Sequence, residues 1–232
     1  MTQETVGDMS ALLERVSCVL FDFDGPLADL FARYPAAGVA ETLRVRAMKL
    51  GVRSEELSGV SDPLRVLRIV ATCDASRHVT SELEKCLAQE EVCAAETALP
   101  TPHAARLVST LAKSGRKVAI TTNNSAEAAS AYLDRIGLLR YFGRHVYGRA
   151  DDPGLLKPDP HCLMRAMACT GAVPENCLMI GDSPSDLRAA ELAGVRFLGF
   201  ARDEPKSHRL YEAGAKHVVT SLGRLSAAAV PV

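Results

Sequence analysis

The stretch Phe21-Asp22-Phe23-Asp24-Gly25 constrains this chain more than any other. It closes the apolar run Cys18-Val19-Leu20 with two carboxylates and a glycine. Charges that leave water must be paired or bound to metal, so acids alternating with Phe at the end of a buried strand cost folding energy. Gly25 permits backbone conformations barred to other residues and lets the chain leave the strand abruptly. In parallel α/β sheets, ligand chemistry sits at the carboxyl ends of the strands. Asp22 and Asp24 therefore read as an active-site pair. What they lack is a cation, a clamp for a phosphate or carbonyl group, and a lid.

The remaining pattern supplies an architecture around that pair. A short helical lead-in is expected over 9–16 and the first strand over 17–23. Val39, Leu43, Ala47 and Leu50 recur at helical spacing until Gly51 stops them. Ser61-Asp62-Pro63 supplies a cap and first-turn proline for a helix through Val66, Ile69 and Val70, and Val79, Leu83 and Leu87 mark a third helix. No convincing strand falls in about 30–98. From Pro100-Thr101-Pro102 onward, strands near 117–121, 145–147, 177–180, 195–200 and 217–220 alternate with helices. Continuous apolar strands between helices mean a parallel sheet covered on both faces. The fold class is α/β: a Rossmann-like core over 1–29 and 99–232, with an all-helical cap inserted over 30–98. The Ala-rich end, 227–232, reads as a frayed terminus.

Three more strand ends carry polar residues. Thr121-Thr122-Asn123-Asn124-Ser125 joins hydroxyls, backbone N–H groups and a helix start, which suits an anion; capping by Asn124 or Ser125 explains part of it. Lys157-Pro158-Asp159-Pro160 holds a lysine at a proline-framed helix start. Gly181-Asp182-Ser183-Pro184-Ser185-Asp186 places two acids at a strand–helix junction, the oxygen-rich setting a hard cation prefers.

Asp22-x-Asp24-Gly25, the threonine after the second strand, Lys157-Pro158 and Gly181-Asp182-Ser183-x-x-Asp186 stand in the order of the four motifs of the haloacid dehalogenase superfamily. The chain resembles the phosphatase-rich branch, whose helical cap lies between motifs one and two. The resemblance implies a Mg2+-dependent phosphatase acting on a small phosphorylated metabolite. It implies Asp22 as nucleophile forming an aspartyl-phosphate, and Asp24 as the acid and base that moves protons. It assigns the metal to Asp22, Asp24 through its backbone carbonyl, and Asp182, with Asp186 in support. It assigns the phosphate clamp to Gly25, Thr122, Asn123 and Lys157; the family's hydroxyl residue precedes an Asn, which favours Thr122 and leaves Thr121 to pack or cap. Pro26 departs from the Thr of many relatives and stiffens the loop exit. The second acid, Asp24, separates the chain from the dehalogenases, because an alkoxide leaving group needs a proton and a halide does not. Phosphomutase chemistry shares every one of these residues and is the alternative, followed by a non-catalytic binding protein.

Other features narrow the class. Lys plus Arg is 27 and Asp plus Glu 28, so the net charge of −1 offers no bulk attraction to nucleic acid or membrane. No apolar run reaches the roughly 20 residues of a membrane span. The seven cysteines are odd in number and form no CxxC pair, which suits a reducing cytoplasm. A monomer or homodimer is expected. Arg33, just past the catalytic loop, is a candidate for an anionic part of the substrate, against the plainer reading of a surface arginine beside a hinge. Arg149 reads as solvated or as touching the cap edge.

Overall fold

Every apolar run expected to be a strand joins one sheet in the computed structural model, which describes residues 5–53, 55–73 and 77–230. The strands are β1 (Cys18–Phe21), β2 (Ala28–Asp29), β3 (Leu99–Pro100), β4 (Lys117–Thr121), β5 (Val146–Tyr147), β6 (Cys177–Gly181), β7 (Arg196–Phe200) and β8 (Val218–Val219). The main sheet runs β5-β4-β1-β6-β7-β8 with every pairing parallel. The chain builds outward from β1 in both directions, so the order reverses there. That reversal opens a crevice beyond the carboxyl end of the central strand, where α/β sheets bind ligands.

The helices are α1 (Val6–Leu13), α2 (Ala36–Lys49), α3 (Pro63–Thr72), α4 (Arg77–Thr97), α5 (Ala104–Lys113), α6 (Ala126–Arg135), α7 (Leu139–Phe142), α8 (His161–Thr170), α9 (Pro184–Leu192), α10 (Glu204–Glu212) and α11 (Leu222–Ala228). Side chains of a strand alternate between faces, and β1 feeds both sides of the sheet. Val19 and Phe21 pack with Leu107, Ile120 and Tyr132, while Cys18 and Leu20 pack with Leu163, Ala166 and Met179. Burial on both faces explains why these strands read as unbroken apolar runs.

The inserted helices have their own apolar centre, made by Leu43, Val66, Leu67, Val70, Leu83 and Leu87. Asp62 caps α3 by accepting from Leu64 N–H at 2.9 Å, with Pro63 in the first turn. Among the described residues no strand lies between β2 and β3, which pair antiparallel as a two-residue ribbon. Helix α4 belongs to both centres: Leu83 and Leu87 pack among the inserted helices, whereas Ala94 and Ala95 join the larger core, where α4 lies against α6.

The end expected to fray is ordered in part: α11 runs to Ala228, held by the buried Leu222 and Leu225, and Ala229 is buried behind it, while Ala227 and Val230 are exposed. Residues 231–232 of that stretch lie outside the described residues.

Candidate active site

The loops after β1, β4 and β6 and the turn before α8 converge on a cavity of about 390 Å3. Asp22, Asp24, Thr122, Asn123, Lys157 and Asp186 line its sheet side, and Phe31, Leu64 and Arg68 line the side of the inserted helices.

Asp22 extends the sheet by one bond, donating its N–H to Ile180 O at 2.9 Å. Its Oδ1 accepts from Lys157 Nζ at 2.9 Å. The same ammonium donates to Thr121 O at 2.9 Å and pairs with Asp186 Oδ1 at 2.5 Å. Lys157 is only 1% exposed, and an ammonium there survives because anions surround it. Burial opposes its charge, but Asp186 and Asp22 hold its pKa above the ordinary lysine value. Burial raises the Asp22 carboxyl to about 7; Lys157 pulls against this, and Asp186 and Asp182 add to it.

Asp24 holds a different position. Its Oδ1 accepts from Leu30 N–H at 2.9 Å. Burial lifts its pKa to about 6 against that hydrogen bond. Gly25 has φ of +123°, and a Cβ there would overlap the Asp182 carboxylate. Its place in the site is thus to let the two loops touch. Gly25 does not line the cavity; its carbonyl accepts from Thr101 Oγ1 at 2.7 Å.

Asp22, Asp182 and Asp186 bring carboxylate oxygens within 4.8 Å of one another. Asp186 Oδ2 accepts from Asp182 N, Ser183 N and Ser183 Oγ at 3.1, 3.1 and 2.7 Å. It is therefore tied into a capping box at the start of α9. Asp182 Oδ2 accepts from Lys206 Nζ of α10. Burial raises the Asp182 carboxyl while Lys206 opposes the rise. Three carboxylates here face two ammoniums, and the excess of negative charge in a buried, all-oxygen setting fits a further hard cation. The Asp24 carboxylate stands outside this triad.

Of the two threonines, Thr122 lines the cavity, while Thr121 turns its hydroxyl to Met179 Sδ at 3.3 Å. Thr122 Oγ1 accepts from Asn124 N and donates to Asn124 Oδ1, each at 3.1 Å. Ser125 caps α6. Asn123 grips the lysine turn: Oδ1 accepts from Lys157 N at 2.8 Å and Nδ2 donates to Lys157 O at 3.2 Å.

One expectation meets a different geometry, and one is met in one of its two forms. Arg33 is exposed and does not line the cavity, because the chain past β2 carries it outward while Phe31 and Ala36 turn in. Arg149, read as solvated or as touching the cap edge, does the second: Glu84 and Glu91 of α4 enclose its guanidinium, and its side chain is fully buried rather than solvated. The cavity's arginine is Arg68 of α3, whose Nη2 donates to Lys157 O at 2.7 Å. Nothing local in the sequence marks Arg68. Glu91 had a signal: with Leu83 and Leu87 it continues an i, i+4 stripe whose other members are apolar.

A family model described as haloacid dehalogenase-like hydrolase matches residues 16–194 and takes in Asp22, Asp24, Thr122, Asn123, Lys157, Asp182 and Asp186. The chain belongs to the haloacid dehalogenase-like hydrolases. A phosphoglycolate phosphatase of Neisseria gonorrhoeae is 31% identical over 198 residues, covering 82% of this chain and 82% of its own. A probable phosphoglycolate phosphatase of Pseudomonas putida is 29% identical over 197 residues, 84% of this chain and 69% of its own. Among solved structures, CbbY from Rhodobacter sphaeroides in complex with phosphate superposes with a TM-score of 0.65 at 20% identity, over 90% of this chain and 96% of that one. That likeness supports the fold. Within its family this haloacid dehalogenase-like hydrolase is a phosphatase, a phosphoric monoester hydrolase. No helix among the described residues is long and apolar enough to cross a membrane.

Proposed function

We propose that the protein hydrolyses a small anionic phosphomonoester with Mg2+, through an aspartyl-phosphate on Asp22. The observation that carries this reading is the placement of Asp22 in the cavity wall, oriented by Lys157, with Thr122 and Asn123 lining the same cavity and Asp182 and Asp186 completing an acidic triad with it. A carboxylate nucleophile divides one difficult displacement into two easier ones. Lys157 spreads its positive charge over Asp22 and the incoming phosphoryl oxygens, and Thr122 and Asn123 supply donors to those oxygens. Asp24, with a pKa of about 6, retains a protonated fraction for the leaving oxygen and, once ionised, takes a proton from the attacking water. Asp22, Asp182 and the Asp24 carbonyl, with Asp186 behind them, would hold Mg2+, which would offset the repulsion between carboxylate and phosphoryl group.

Residues 30–98 serve as the cap over a core of 1–29 and 99–232, and Phe31, Ala36, residues 61–64, Arg68 and Glu91 are its contribution to the cavity wall. Arg68 supports a substrate with a second anionic group, since a guanidinium fork matches a carboxylate or phosphate. The phosphoglycolate phosphatases among the relatives point to a short phosphorylated acid. The free cysteines suit a reducing cytoplasm.

The test is phosphate release from a panel of phosphorylated acids, sugars and nucleotides, with and without Mg2+. Release is expected for a short phosphorylated acid, to cease on chelation and to return with Mg2+. A sugar phosphate isomerised without release of phosphate would replace this reading by a phosphomutase.

A further inference from the structure

We propose that Glu91 and Arg149 are positioning residues for the phosphate clamp, so that helix α4 fixes the turn 122–125 from outside the sheet. The inference rests on the phosphatase reading above, in which that turn receives the phosphoryl oxygens.

Glu91 is 0% exposed, and a buried carboxylate must have its acceptor capacity filled. Four donors fill it. Arg149 Nη1 and Nη2 approach Oε1 and Oε2 at 2.9 and 3.1 Å. Asn124 Nδ2 donates to Oε1 at 3.0 Å, and Ser125 N donates to Oε2 at 2.8 Å. Arg149 reaches the same turn by two routes of its own. Its Nη1 donates to Asn123 O at 2.7 Å, and its backbone N donates to Asn124 O at 2.9 Å. Its Nε donates to Glu84 Oε2 at 2.5 Å. Gly148 permits this approach, because a Cβ there would overlap the backbone of Ala126 and Asn124.

An ion pair that served stability alone would have no need to end on these atoms. The network instead leads into the clamp. Glu91 sets the amide of Asn124, and Asn124 both donates to and accepts from the Thr122 hydroxyl. Arg149 holds the carbonyl of Asn123, whose side chain grips the backbone of Lys157. The Thr122 hydroxyl and the Lys157 backbone are each two links from the α4 carboxylate or its guanidinium partner. Losing one link shifts the donors relative to the phosphoryl oxygens, and displacements near 1 Å cost about a hundredfold in rate.

Orthovanadate, a mimic of the pentacoordinate phosphoryl group, is the probe. In Glu91→Gln and Arg149→Lys the inhibition constant of orthovanadate is expected to rise at least about tenfold and kcat to fall in parallel. Mg2+ affinity, read by calorimetry, is expected to stay within about twofold, because neither residue touches Asp22 or Asp182. Should either single variant fail to fold, Glu91→Gln/Arg149→Met removes the two fully buried charges together and leaves only Glu84, whose side chain is 17% exposed, and the same two constants are read on it. A folded variant with vanadate affinity and kcat within about twofold of the parent overturns the inference, since only stability would then depend on the pair. A parent protein that neither binds vanadate nor releases phosphate overturns the phosphatase reading, and this inference with it.

Discussion

Two buried cations organise this protein, and they differ in what surrounds them. Lys157 sits between Asp22 and Asp186 at the sheet edge, and Arg149 sits between Glu84 and Glu91 under helix α4. Each is an ammonium or guanidinium enclosed by two carboxylates. The Lys157 cluster opens onto the cavity and orients a carboxylate there. The Arg149 cluster closes on backbone atoms of the neighbouring turn and joins an inserted helix to the core. The same electrostatic solution thus serves chemistry in one place and positioning in the other. The difference lies in where the remaining hydrogen bonds end.

Substitutions at the two clusters should therefore fail differently. Lys157→Met is expected to be the most damaging, lowering kcat by about a thousandfold through loss of charge stabilisation at the phosphoryl group. It also strands Asp22 and Asp186, at a cost of about 3–5 kcal/mol, readable in urea unfolding. A Lys157→Met protein with near-parent kcat would dissolve the distinction between the clusters.

Asp24→Asn is expected to lower kcat by about a hundredfold, the usual scale for a lost general acid. Stability should move the other way. The ordinary Asp value is 3.8 and the folded value about 6. The folded state therefore holds the extra proton between these values, and stability falls as pH rises through that window. The penalty is absent below the lower value and fully developed above the upper one. Without metal, Asp24→Asn should exceed the parent by about 2–3 kcal/mol at neutral pH, a gain that vanishes in acid; denaturant midpoints across pH check this.

Arg68→Ala should act on the cap side of the cavity, raising KM about tenfold for a short phosphorylated acid with kcat little changed. Arg33→Ala, exposed and outside the cavity, should leave both constants within about twofold. A larger effect at Arg33 than at Arg68 would restore the sequence-based assignment.

The contrast between the clusters also marks what a sequence reveals. Asp22, Thr122 and Asp182 were legible in position because each directly follows a strand end, and Lys157 because Pro158 and Pro160 mark the turn before α8. The strand at 117–121 was legible to the residue for the same reason. Arg149 was legible only as far as a contact with the cap edge; its burial was not, because it depends on Glu84 and Glu91, which are 65 and 58 residues away. The flanking Asp151-Asp152 made that loop look solvated. Arg68 stayed hidden because only the packing of α3 over the Lys157 turn brings it to the cavity. Thr121 and Thr122 are indistinguishable by composition, and the pleat of β4 separates them.

The most direct test of the account is acid quench of the enzyme during turnover with Mg2+ and a substrate carrying labelled phosphate, followed by mapping of the label. The label is expected on the peptide containing Asp22, in a hydroxylamine-sensitive acyl-phosphate that Asp22→Asn abolishes together with phosphate release. Sustained phosphate release by Asp22→Asn, or label on any other residue, would contradict it.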